Sequence, residues 1–331
     1  MRRGMLLSSV LLTAVVASHV CAASEPPIEA AAVLEDRYPS RQVAFPGGVT
    51  GLPDQVYAQP PGFRPLTLDV YLPPPGISRR PSGRPLVLYV HGGGWSSGHT
   101  RHSGAFGNWP GVLADLARRG YVVASLNYRL NAEAPFPAAI QDVKAALRWL
   151  RERSTEYGLD VDRAAVWGGS AGGQLAALAA TSCGMEALAP SGDSVESDCA
   201  QAAVLWYPVT DFTPLASSAP AGAGSNVHRY LGCPPGQACD AERIRLASPL
   251  LQVDARTPPM LLVHGAADRV VAAGQSEALH ASLRKAGVRS ELLVIPDVDH
   301  SFIGRNAAST RAASLQALER TFAFLDDTIG R

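Results

Sequence analysis

Two glycine-rich turns, His91-Gly92-Gly93-Gly94-Trp95 and Gly168-Gly169-Ser170-Ala171-Gly172, each follow directly on a short apolar run, and this repeated step leaves few folds open. Leu86-Val87-Leu88-Tyr89-Val90 precedes the first turn and Ala164-Ala165-Val166-Trp167 the second. Short continuous apolar runs that end in glycine read as strands buried on both faces, which is how the strands of a parallel sheet read.

The rest of the chain continues the alternation. Leu66, Leu68, Val70 and Leu72 mark a half-buried strand ended by Pro73-Pro74-Pro75. Residues 111–119 suit a helix and 121–126 a strand. Pro137 stands where a first helical turn tolerates it, and Ile140, Val143, Leu147 and Leu150 follow at helical spacing. An Ala-rich helix over 173–181, strands over 203–207 and 260–263, a helix over 275–286, a strand over 291–295 and a last helix from 308 to 327 complete the pattern. Such alternation predicts one α/β domain over 65–331, with a mainly parallel sheet and helices on both faces. Residues 24–64, rich in Pro, Ala and Gly and weakly periodic, read as a leader or linker. Residues 211–250 interrupt the alternation with Pro, Gly, Ala and Ser and read as a small cap or insertion near the strand ends.

Charge narrows the partners. Basic and acidic residues balance at 29 each, so the chain lacks the electrostatic footprint for nucleic acid or an anionic membrane, and a small-molecule or carbohydrate partner is expected. Residues 1–23 carry Arg2 and Arg3, an apolar run from Met5 to Val16, and Val20-Cys21-Ala22-Ala23, the pattern of a signal peptide cleaved after Ala22 or Ala23. The run is too short for a membrane anchor, and His19 interrupts it. A secreted or periplasmic protein is expected. Export would leave Cys183, Cys199, Cys233 and Cys239, an even set for an oxidising compartment. Of the three connectivities, Cys183–Cys199 with Cys233–Cys239 is favoured, because it closes two short loops outside the apolar runs. No regularly spaced His or acidic ligands accompany these cysteines, so no metal is expected.

Ser170 would sit on a sharp turn between strand and helix, with its hydroxyl thrust above the sheet and its neighbouring amides at a helix N-terminus. A serine nucleophile needs a base, and the base needs a group that holds its tautomer. His264-Gly265-Ala266-Ala267-Asp268 and Asp297-Val298-Asp299-His300 each follow a strand, which places Asp268 and His300 at the same sheet edge in the order Ser, Asp, His. Asp297 and Asp299 rank below Asp268, being too near His300 in sequence to align it from a separate loop. His264 reads as a packing or turn residue, and His91 as one that shapes its turn. Gly93, Gly94 and Ala171 are the expected amide donors to an oxyanion. Trp95 and Trp206 are candidates to line the substrate pocket, with burial in the core as the competing reading.

At these positions the chain resembles the α/β-hydrolase superfamily, and within it the esterases with a His-Gly-Gly-Gly turn. The likeness runs through Asn127-Tyr128-Arg129-Leu130, Phe136 to Val143, Gly168 to Gly173, Tyr207-Pro208-Val209-Thr210-Asp211, Ser248-Pro249-Leu250 and the Asp268 and His300 loops, over residues 65–327. Ala267 departs from it, standing where many relatives carry an acidic or polar residue. The Trp95 form of the turn, the Phe136 to Trp149 segment and the signal peptide look most like secreted bacterial esterases acting on acetyl or feruloyl groups of plant polysaccharides. Hormone-sensitive-lipase-like esterases come next. The resemblance implies an eight-stranded core with Ser170 as nucleophile, His300 as base and Asp268 as orienter, and ester hydrolysis without metal or organic cofactor. An arylformamidase or other amidase could use the same triad. A lipase would need a more apolar mouth than residues 211–250 offer, and an inactive binding module is disfavoured because every triad position is filled.

Overall fold

Residues 41–77, 82–218, 225–234 and 237–330 are described by the structure, a computed structural model, within a unit that begins at Arg41. The expected signal peptide and the first part of the expected leader lie outside the described residues.

The apolar runs pair into one sheet. In chain order its strands are β1 (Val43–Phe45), β2 (Val49–Ala58), β3 (Leu66–Leu72), β4 (Arg84–Val90), β5 (Val122–Leu126), β6 (Leu159–Gly169), β7 (Ala202–Trp206), β8 (Met260–Gly265) and β9 (Ser290–Ile295). They lie in the order β1-β2-β3-β5-β4-β6-β7-β8-β9. From β5 to β9 every pairing is parallel, and β1, β2 and β3 add an antiparallel edge. The sheet thus has nine strands among the described residues where eight were expected, and β1 and β2 fall inside the stretch read as a linker. Their signal is hidden for local reasons. Pro46 and the left-handed Gly47 and Gly48 turn the chain between them, and a register shift between Leu52 and Gln55, around Pro53, breaks the alternation within β2.

Nine α-helices lie among the described residues: α1 (Trp109–Arg118), α2 (Ala138–Glu152), α3 (Ser154–Tyr157), α4 (Ala171–Thr181), α5 (Thr213–Ser218), α6 (Asn226–Leu231), α7 (Ala241–Ala247), α8 (Gly274–Lys285) and α9 (Ala307–Leu325). Strand periodicity sorts the core into two layers. Leu86, Leu88 and Val90 of β4 face α2, α4 and α8, whereas Val87 and Tyr89 face α1 and α9. The second layer holds Trp109, Trp167 and Trp206, whose rings meet edge to face with centroids 4.8–6.0 Å apart. The described residues of the interruption at 211–250 include α5, α6 and α7. The disulfides are the two local pairs, Cys183–Cys199 and Cys233–Cys239, each with Cα atoms 4.7 Å apart. Among the described residues no helix is long and apolar enough to cross a membrane.

Candidate active site

β6 ends at Gly169 and α4 begins at Ala171, so Ser170 alone makes the turn, at φ 55° and ψ −122°. That strained backbone is held from two sides. The Ser170 N–H donates to the Trp206 carbonyl at the end of β7, 2.9 Å away. On the other side, backbone meets backbone: a Cβ on Gly168 would lie 2.2 Å from the Gly172 oxygen, and one on Gly172 2.1 Å from the Val90 oxygen and 2.5 Å from that of His91. The start of α4 therefore rests directly on the end of β4, where the other glycine turn begins. Gly172→Ala must push these elements apart, at a cost of about 1–3 kcal/mol for overpacking. We expect its thermal midpoint to fall by roughly 2–5 °C in a circular dichroism melt. A midpoint equal to that of the parent would refute this close backbone packing.

The loops after β8 and β9 bring Asp268 and His300 to Ser170. His300 Nδ1 lies 2.7 Å from Asp268 Oδ2, and His300 Nε2 lies 2.9 Å from Ser170 Oγ. Facing a carboxylate, Nδ1 carries the hydrogen, which leaves the Nε2 lone pair to accept from the serine hydroxyl. Asp268 is braced on its other oxygen by the N–H groups of Val270 and Val271, both at 2.8 Å. His264 also approaches Asp268 Oδ2, at 3.3 Å. Its own ring is fixed, with Nε2 donating to the Val271 carbonyl at 2.8 Å and Nδ1 accepting from Ser276 Oγ at 2.7 Å. Burial by itself would raise the Asp268 pKa. Hydrogen bonds from His264, His300 and the Val271 amide outweigh it and hold the carboxyl well below the usual carboxylate range. Asp299 acts on the loops rather than on the imidazole ring. Its Oδ1 accepts the His300 backbone N–H at 2.7 Å, and its carboxylate pairs with Arg269 from the Asp268 loop, tying the two loops together.

The turn at 91–95 is shaped by left-handed Gly93, Gly94 and Trp95. His91 Nδ1 donates to the Gly92 carbonyl at 2.7 Å, its ring stacks on Tyr128, and burial lowers its pKa to about 4, so it stays neutral. The Gly93 carbonyl is occupied within the turn, accepting the amides of Ser96 and Ser97 at 3.1 Å. Among the described residues no acceptor takes the backbone N–H of Gly93, Gly94 or Ala171. Gly93, Gly94, Ser170 and His300 line one cavity of about 890 Å³, with Asp268 behind His300.

Two expected pocket residues are not there. Trp95 is 4% exposed, its indole N–H donating to Gln174 Oε1 at 3.0 Å and its ring stacked on Tyr230. Trp206 is fully buried in the tryptophan layer, its N–H donating to Thr321 Oγ1 at 3.0 Å. Both side chains point away from the cavity because they pack into the core layers. Conversely, Tyr207 and Asn226 line the cavity and were given no role by sequence. Tyr207 opens the Tyr207-Pro208-Val209-Thr210-Asp211 motif, and its ring rests 4.7 Å from that of His300. Asn226 sits in the interruption, where no periodicity shows which way a side chain faces.

A family model described as BD-FAE matches residues 68–283, well over half of the chain. The chain belongs to the BD-FAE family. This BD-FAE chain is 33% identical over 237 residues to the esterase LipQ of Mycobacterium tuberculosis, an alignment covering 68% of this chain and 53% of that one. It thus spans about half the length of that relative. Among solved structures, a truncated carbohydrate esterase from gut microbiota superposes with a TM-score of 0.71 at 24% identity, over 87% of the BD-FAE chain and 99% of the other, a likeness of fold. The acetyl ester-xyloside bifunctional hydrolase of Caldicellulosiruptor lactoaceticus gives 0.64 at 26% identity, over 82% and 90%. The α/β-hydrolase fold expected from the glycine turns is the fold of these neighbours.

Proposed function

We propose that the protein is a serine carboxylesterase that hydrolyses short acyl or aryl esters, including acetyl or feruloyl groups on carbohydrates, through an acyl-enzyme on Ser170. The carrying observation is the unbroken hydrogen-bonded line from Ser170 Oγ through His300 to Asp268, opening on the same cavity as the amides of Gly93 and Gly94. His300 Nε2 takes the hydroxyl proton as Oγ bonds to the ester carbon. The carbonyl electron pair moves onto oxygen, where the amides of Gly93, Gly94 and Ala171 receive it. Collapse of this intermediate breaks the bond to the alkoxy oxygen, which leaves with the proton from His300. Water then repeats the sequence, with His300 as base, and frees the acid.

Among the described residues lining the cavity only Val270 and Ile303 are aliphatic, while Ser96, Ser97, His99, His102 and Asn226 are polar, which favours a short acyl group over a fatty chain. Acetyl-ester chemistry in the name of a structural neighbour supports the same choice. The two disulfides and the residue pattern of the first 23 positions support export to the periplasm or the outside of the cell.

The test is a panel of 4-nitrophenyl esters of increasing chain length, with acetyl-xylan, methyl ferulate and an N-formyl anilide. We expect kcat/KM to fall at least about tenfold from acetyl to octanoyl, since a long chain must displace water from serine and histidine side chains and finds little aliphatic surface in return, and the anilide to be the poorer substrate. A preference for octanoyl would mean a lipase, and a preference for the anilide an amidase.

A further inference from the structure

Helix α6 lends the cavity one side chain, Asn226. Chemistry settles how its amide is turned. Arg229 Nη2 lies 2.6 Å from Asn226 Oδ1, and a guanidinium has only donors, so that atom must be the carbonyl oxygen. The nitrogen faces the glycine turn instead: a Cβ on Gly94 would lie 2.8 Å from Asn226 Nδ2. Glycine at 94 therefore leaves open the space beneath that amide.

Nδ2 has no acceptor among the described residues, whereas nearby hydroxyls are engaged: Ser96 Oγ and Ser97 Oγ both donate to the Gly93 carbonyl at 3.2 Å. Its position is braced to the turn. Asn131 Nδ2 donates to the Asn226 backbone carbonyl at 3.4 Å, while the Asn131 N–H donates to the backbone carbonyl of Trp95 at 2.7 Å. Tyr230, one turn further along α6, stacks on Trp95 with centroids 4.4 Å apart. Ser225 caps the helix start, and Cys233, just past its end, is held to Cys239.

We propose that Asn226 is a specificity-determining residue whose Nδ2 donates a hydrogen bond to a neutral oxygen, a hydroxyl or ring oxygen, of the alcohol part of the ester. The proposal rests on the esterase reading. None of the described residues lining the cavity is Lys, Arg, Asp or Glu, and the Arg229 guanidinium is engaged by Oδ1 outside that lining, so an acceptor in the cavity meets the amide dipole rather than a cation. The acceptor belongs to the alcohol because an acetyl group has one carbonyl oxygen, already taken by the backbone amides. A leaving group with no acceptor oxygen close to the reacting bond, such as a 4-nitrophenyl group whose nitro oxygens lie at the far end of the ring, gains nothing from Asn226. One with several gains a fixed donor beside the reacting bond.

The experiment compares kcat/KM for an acetylated methyl xyloside with that for 4-nitrophenyl acetate, in the parent, Asn226→Ala and Asn226→Asp, with folding checked by thermal unfolding. We expect the xyloside-to-nitrophenyl ratio to fall about tenfold in Asn226→Ala, mostly through KM, as one hydrogen bond to the alcohol is lost. Asn226→Asp keeps the pairing with Arg229 but offers an acceptor in place of the donor, and its ratio should fall at least as far. Equal loss on both substrates, or an unchanged ratio, overturns the proposal. Fluorophosphonate labelling of Ser170 separates the two readings: a labelled protein with an unchanged ratio overturns the role of Asn226 alone, and a folded parent that does not label overturns both.

Discussion

Ser170→Ala removes nearly all turnover, a loss of about 10⁴–10⁶ in rate, from a protein that remains folded. The loss is large because the three side chains act as a unit: without Oγ, His300 and Asp268 have no hydroxyl to activate, and only the backbone amides still act on the carbonyl. Folding should survive, since the bond that holds the strained turn runs from the Ser170 N–H to the Trp206 carbonyl and alanine retains it. The same φ of 55° is left in place, so no new strain arises. The measurement is steady-state hydrolysis of 4-nitrophenyl acetate together with a melt of parent and variant. Esterase activity within tenfold of the parent would move the nucleophile to another residue.

Asp268→Asn should cost about 10⁴ in kcat with little change in fold. The amide oxygen can still accept from Val270 and Val271, so the loop keeps its anchor. The new NH₂ must then face His300 Nδ1, where it is a donor meeting a donor. His300 relieves this by moving its hydrogen to Nε2, and that tautomer cannot accept from Ser170. Asp268 also bears on pH. Its folded pKa is lowered, so its charge, and the stability that charge contributes, are present above the unfolded value and are lost only as pH falls through the folded one. Through the range where an imidazole base takes its proton, Asp268 stays ionised. The acid limb of the parent's kcat/KM profile is therefore expected to follow a single proton, with a slope of one on logarithmic axes. A slope of two would show that the carboxylate titrates with the base.

Much of this architecture was legible because burial writes itself into strands. The runs before Gly92 and Gly168 are central, covered on both faces, and could hardly be read otherwise. Asp268 and His300 follow similar runs, so strand order alone carried them to one edge. The edge strands β1 and β2 were not legible, since one of their faces meets solvent and a bulge at Pro53 shifts the other. Trp95 and Trp206 show a different limit. A tryptophan beside a glycine turn is apolar whichever way it points, and only the partners of its N–H, Gln174 and Thr321, reveal that it points inward. Asn226 was beyond reach because its meaning depends on Gly94, Arg229 and Asn131, which meet only in three dimensions.

Gln174 is the point where several of these segments are tied. From α4, the helix that follows Ser170, its carbonyl oxygen accepts both the Trp95 indole of the glycine turn and the Tyr230 hydroxyl of α6, and its NH₂ donates to the Ala247 carbonyl at the end of α7. One buried amide thus joins three segments that lie far apart in sequence. Such a junction limits how this chain can be recombined with others. An insertion exchanged between relatives, in evolution or by design, must bring its own hydroxyl and carbonyl to this point, or leave a buried amide short of partners at a cost of about 1–3 kcal/mol. Segments that look like freely interchangeable decoration on the rim of the site are thus bound, in this chain, to the turn that they cover.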